Sequence, residues 1–126
     1  LEGTGKAAAA QGYLVGGKTG SAEKRGSDGY DKDLLISSFV GVFPMTRPRY
    51  VVFAMLDEPV GTAETKFYAT GGWVAAPTVG KVIKQIAPIL NVVPIDENTP
   101  SIRKALTIRS YKPTPEARTL ASFRAH

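Results

Sequence analysis

The 126-residue chain contains no cysteine, one tryptophan and a single histidine, which is its last residue. Without thiols, disulfide frameworks, thiolate zinc sites and cysteine nucleophiles are excluded. With His126 as the lone imidazole, a Ser-His-Asp triad is not expected. No cluster of metal-ligating residues is evident, so the expectation is no metal and no cofactor. No apolar run approaches the roughly 18 residues needed to span a bilayer, and no signal peptide opens the chain.

Hydrophobic residues make up 43% and charged residues 21%, values of an ordinary globular chain the size of one domain or part of one. The start at Leu1 rather than Met suggests a piece of a longer polypeptide. The formal net charge is +5, which raises the question of an anionic partner. Residues 1–89 carry ten basic and eight acidic side chains, whereas 90–126 carry six basic and three acidic. The basic bias thus belongs mostly to the tail, which reads as a solvated polar segment, and no nucleic-acid partner is expected.

The pattern along the chain predicts strand, strand, strand, helix, tail. Tyr13 to Lys24 reads as a strand broken by glycines, and Arg25 to Asp33 as an exposed connection. Leu34 to Phe43 is a second strand, closed by the proline-flanked turn Pro44 to Pro48. Tyr50 to Leu56 is a continuous apolar run, the pattern of a strand covered on both faces. Val79, Val82, Ile83, Ile86 and Leu90 recur at offsets of three and four, one face of a helix with Pro77 in its first turn and Pro88 near its end. Short links between the strands favour antiparallel neighbours. The fold class expected is α+β: about three antiparallel strands, a C-terminal helix and an extended tail. The division expected is a folded portion over residues 1–90 and a loosely attached, proline-containing basic tail over 91–126.

Lys18-Thr19-Gly20-Ser21 is the most informative stretch for chemistry. A cation, a short hydroxyl donor and an unobstructed backbone on one strand suit an anionic peptide laid alongside it, with an N–H able to stabilise an oxyanion. Alone, the tripeptide is a weak signal, equally consistent with a turn and a solvated lysine. Ordered blocks accompany it: Gly16 to Lys24, Tyr30-Asp31-Lys32, Ser38-Phe39-Val40-Gly41, Pro48 to Val52, Asp57-Glu58-Pro59 and Gly71 to Pro77. Together they resemble the C-terminal part of the transpeptidase domain of class B penicillin-binding proteins, of the cell-division type, over about Leu1 to Leu90.

The resemblance implies a fragment of the serine β-lactamase/transpeptidase-like fold, from a periplasmic enzyme anchored in the bacterial inner membrane that cross-links peptidoglycan stem peptides and binds β-lactams. It also implies partners in the division machinery. On this reading Lys18 matches the lysine that supports proton transfer. Thr19 matches the residue that binds the donor carboxylate, Gly20 admits the substrate backbone and Ser21 offers its N–H to the oxyanion hole. The family's other motifs, S-x-x-K and S-x-N, are not matched. Ser21-Ala22-Glu23-Lys24 fits the first as a string, but an offset of three on a strand points the two side chains to opposite faces. Ser101-Ile102-Arg103-Lys104 also fits, yet follows the K-T-G strand where the family's nucleophile precedes it. Ser27-Asp28-Gly29 starts like the second motif and fails at its last position. The chain alone is therefore expected to be inert.

Two competing readings are a non-catalytic binding or assembly module with a basic tail, and a fragment of a related β-lactamase or carboxypeptidase. Asp57-Glu58 reads as a strand-ending turn whose side chains diverge, and Tyr68 and Trp73 as aromatics buried against the sheet. In the family the Tyr50–Leu56 edge pairs with a first strand and one sheet face is covered by upstream helices, neither of which this chain contains, so a homodimer or strand-swapped assembly is expected.

Overall fold

The computed structural model describes residues 3–26 and 29–106. Its centre is a three-stranded antiparallel sheet, ordered β1 (Gly16–Gly26), β2 (Gly29–Phe43), β3 (Tyr50–Asp57). The first strand begins later than the sequence pattern suggests. Tyr13 and Leu14 are drawn inward, the Tyr13 amide donating a 2.8 Å hydrogen bond back to the Ala10 carbonyl before the ladder starts. The second begins earlier, because the hairpin stays paired through Lys24–Asp31, Arg25–Tyr30 and Gly26–Gly29. A register shift between Glu23 and Lys24 separates this outer hairpin from the main ladder.

One sheet face is occupied by helix α1 (Ala75–Ile89), whose buried residues Ala75, Ala76, Val79, Gly80, Ile83 and Ala87 follow the expected helical offsets. Pro77 is its third residue, where no N–H is required for the helical ladder, and Pro88 falls in the last turn. Phe39 and Phe43 of β2 meet this helix and are fully buried with Val79 and Ile83. Each such side chain stabilises the fold by about 1.5–3 kcal/mol. A 3-10 turn, Lys6–Ala8, lies across the helix at Gly80, where an added Cβ would stand 3.0 Å from the Ala8 backbone. Gly80 is thus the gap through which the chain's entry reaches the core.

The third strand departs from its expected environment. Its residues alternate, with Tyr50, Val52, Ala54 and Leu56 turned to the helix side and Val51, Phe53 and Met55 left 60–66% exposed. The described chain supplies a layer for only one face of the sheet, so a run apolar on both sides has one side bare.

The segment after the helix is also better anchored than its composition suggests. Val92 is buried in the core and donates its amide to Ala87, and the Ile95 amide bonds the Gly12 carbonyl at 2.8 Å. Two aliphatic side chains among the prolines thus find a seat beside the strand entry. A second helix, α2 (Pro100–Leu106), follows where an extended tail was expected, and residues 107–126 lie outside the described residues. No helix among the described residues is long and apolar enough to cross a membrane.

Candidate functional site

Lys18, Thr19, Gly20 and Ser21 sit mid-strand on β1, opposite Val40, Phe39, Ser38 and Ser37. The strand is at the sheet's edge, and no fourth strand pairs with it among the described residues. Alternation sends Lys18 and Thr19 to opposite faces. Lys18 is exposed and its Nζ donates to the Thr19 carbonyl at 2.7 Å. Thr19, on the helix side and half-buried, shares a 3.1 Å hydrogen bond between its Oγ1 and that of Thr4. Gly20 has a local reason to be glycine, since a Cβ there would lie 2.6 Å from the Ser38 hydroxyl, which donates to the Gly20 carbonyl.

The loop from Glu58 to Val74 is stapled to this strand pair by two serines. Ser21 Oγ accepts the Gly71 amide at 3.1 Å, and the buried Ser37 hydroxyl donates to the Ala69 carbonyl. Gly71 lies so close that a Cβ would come within 2.6 Å of the Gly20 carbonyl oxygen and closer still to that of Ser38. The Gly71 carbonyl in turn accepts from the amides of Ala75 and Ala76, so one residue joins the site strand to the start of α1. Sequence reasoning missed Ser37, Ala69 and Gly71 as partners of the site; their only signal was the Gly71-Gly72 pair.

The same loop carries exposed aromatics. Tyr68 stacks on Trp73 with ring centroids 5.3 Å apart and planes 19° apart, and Lys66 Nζ stands 5.9 Å from the Trp73 ring. Tyr68 and Trp73 are 55% and 39% exposed, not buried against the sheet as expected. The two rings cover each other instead. Lys66 and Phe67 both have left-handed backbones, a conformation that costs non-glycine residues energy and concentrates at functional loops.

Of the two S-x-x-K strings, the one on β1 has other roles. Lys24 donates to Asp57 at 3.0 Å and to Glu58 at 2.6 Å, while Ser21 turns to Gly71. Asp57 and Glu58 converge on this ammonium instead of diverging, because Glu58 leaves the strand with φ of 50°. The hydrogen bonds that Lys24 donates to Glu58 and then to Asp57 raise its pKa above the ordinary value. Ser101 and Lys104 do share a helix, α2, and both are exposed. The first two positions of Ser27-Asp28-Gly29 lie outside the described residues. Among the described residues, no group of three acidic, histidine or cysteine side chains could hold a metal.

Residues 1–84 match the penicillin binding protein transpeptidase domain. This chain belongs to the penicillin-binding protein transpeptidase family. It is 46% identical over 96 residues to the probable peptidoglycan D,D-transpeptidase FtsI of Caulobacter vibrioides, covering 71% of the chain and 16% of that relative. It is 43% identical over 93 residues to the stage V sporulation protein D of Bacillus subtilis, covering 74% and 14%. The chain therefore spans about one sixth of the length of the curated relatives it matches.

Among solved structures, it is similar to the transpeptidase domain of Burkholderia pseudomallei penicillin-binding protein 3, with 41% identity, a TM-score of 0.61, and 78% and 27% of the two chains covered. Mycobacterium tuberculosis penicillin-binding protein 3 complexed with ampicillin matches at 28% identity and a TM-score of 0.64, over 80% and 22%. The three antiparallel strands followed by a helix are those of penicillin-binding transpeptidase domains, and the α+β expectation holds.

Proposed function

We propose that this chain forms the K-T-G wall of the active site of a peptidoglycan D,D-transpeptidase that works through a serine acyl-enzyme. The observation that supports it is the placement of Lys18-Thr19-Gly20-Ser21 on an exposed edge strand, in a chain of this family. An extended stem peptide, or a β-lactam in its place, lies along that edge. Lys18 supplies positive charge and supports proton transfer from one face, and Thr19 turns its hydroxyl from Thr4 to the substrate carboxylate on the other. Gly20 keeps the backbone open. Because Ser21 Oγ already accepts from Gly71, Ser21 contributes its backbone N–H to the oxyanion hole and not a nucleophile. The acylated serine belongs to an S-x-x-K helix that precedes the K-T-G strand; the helical Ser101 to Lys104 string on α2 follows that strand and is no substitute, so the chain alone is inert. In its natural setting the enzyme acts in the periplasm, tethered to the inner membrane, with the division machinery as partner.

Val51, Phe53 and Met55 form an exposed apolar face beside the unpaired edge of β3. Such an edge invites pairing, and the isolated chain assembles as a homodimer through it.

Two measurements test the proposal. Incubation of the chain with a fluorescent penicillin should leave no covalent label after denaturation; labelling would overturn the inertness. Titration with N-acetyl-D-alanyl-D-alanine, followed by amide NMR, should move the resonances of Lys18 to Ser21 first. Shifts confined to other strands would sink the assignment of the wall.

A further inference from the structure

A groove of about 300 Å³ opens at the end of the sheet away from Ser21, between the turn joining β2 to β3, the strand entry at Gly12 and Leu14, and the segment Asn91 to Ile95. That volume is at the small end of pockets that hold ligands. Leu14, Pro44, Val92 and Ile95 make its apolar lining, and Arg47 and Arg49 stand on its rim. It shares no residue with the K-T-G stretch, although Gly16, where β1 begins, is only two residues before Lys18, about 7 Å along a strand.

The charge of the rim is unspent. Neither Arg47 nor Arg49 has a carboxylate partner among the described residues. Arg49 is held with its guanidinium 5.3 Å over the Tyr50 ring, which orients the cation without neutralising it. Asp96, next to the groove's Ile95 in the chain, is turned to its own loop and accepts the Asn98 amide at 2.9 Å. Both rim residues follow from the backbone of the turn, with Arg47 N donating to Pro44 and Arg49 N to Phe43. Two guanidiniums beside a small apolar concavity match carboxylates flanking an aliphatic side chain.

We propose that this groove docks an acidic, aliphatic-bearing peptide segment of a partner protein. The chain's own C-terminal residues do not suit it. Residues 107–126 carry Arg109, Lys112, Arg118 and Arg124 against Glu116, and the whole chain is +5, so a second copy meets like charge as well. A membrane surface is a poorer match, since lipid headgroups gain nothing from a concave apolar lining. The docking is independent of what the K-T-G strand does.

The test is fluorescence anisotropy on the full chain with a rhodamine-labelled hexapeptide of alternating glutamate and leucine. Saturable binding is expected. The double variant Arg47→Gln/Arg49→Gln should weaken it about two- to thirtyfold, the range for losing two solvent-facing ion pairs. Val93→Asp, at an exposed position in the same groove, should weaken it too, whereas Lys81→Gln on the outer face of α1 should change it less than about twofold. Four results would overturn the proposal: no binding, equal loss with Lys81→Gln, equal affinity for a glutamate-serine hexapeptide, or tighter binding to phosphatidylglycerol vesicles than to the peptide.

Discussion

The amide of Gly71 donates to the hydroxyl of Ser21 at 3.1 Å, joining two residues fifty positions apart. This bond holds the aromatic loop against the K-T-G strand, so the shape of the site wall depends on it.

Ser21→Ala removes that acceptor and strands a partly buried N–H, which should cost about 1–2 kcal/mol. Gly71→Ala should cost more, about 3 kcal/mol, because its methyl meets the carbonyl oxygens of Gly20 and Ser38, and backbone cannot swing aside. Urea unfolding of both variants checks the order; a milder Gly71→Ala would contradict the close approach.

On α1, burial and exposure should separate cleanly. Ile83→Ala empties a fully buried site and should destabilise by about 3 kcal/mol. Ile89→Ala, on the exposed side of the same helix, should stay within about 0.5 kcal/mol. Thermal and chemical unfolding of the pair measures this directly.

Lys24 ties β1 to the end of β3 through Asp57 and Glu58. Its pKa is raised above 10.5 in the fold, so its contribution is fully present below that value and is lost as pH rises through the raised one. The site is solvent-exposed, and the effect should be small and weakened by salt. The difference in melting temperature between the native chain and Lys24→Met should shrink on going from neutral pH to above pH 10.5. A difference that stays constant across that window would show that the charge is not what matters.

Self-association should depend on the bare face of β3. Light scattering should show a mass that rises with concentration toward a dimer, and Phe53→Lys should return it to a monomer without loss of fold. A clean monomer for the unaltered chain at high concentration would sink the assembly.

Much of the fold was legible from local pattern, and the reasons are local. Helical offsets at Val79, Ile83 and Ile86 marked one face of α1, and prolines at 44 and 48 ended a strand whatever lay around them. The K-T-G string with its ordered companions carried the family. Strand limits were less legible, since whether Tyr13 enters a ladder or a core depends on where Ala10 and Met45 come to rest.

Sequence alone determined the order of the three strands and α1, and the family, because these depend on residue type and spacing. Only the tertiary structure decided which residues meet. It brought Gly71 to Ser21, turned Glu58 beside Asp57 onto Lys24, seated Val92 in the core and left Phe53 facing outward. Those outcomes depend on positive-φ turns and on which sheet face a helix covers, and both are settled by long-range packing that no short window of sequence contains.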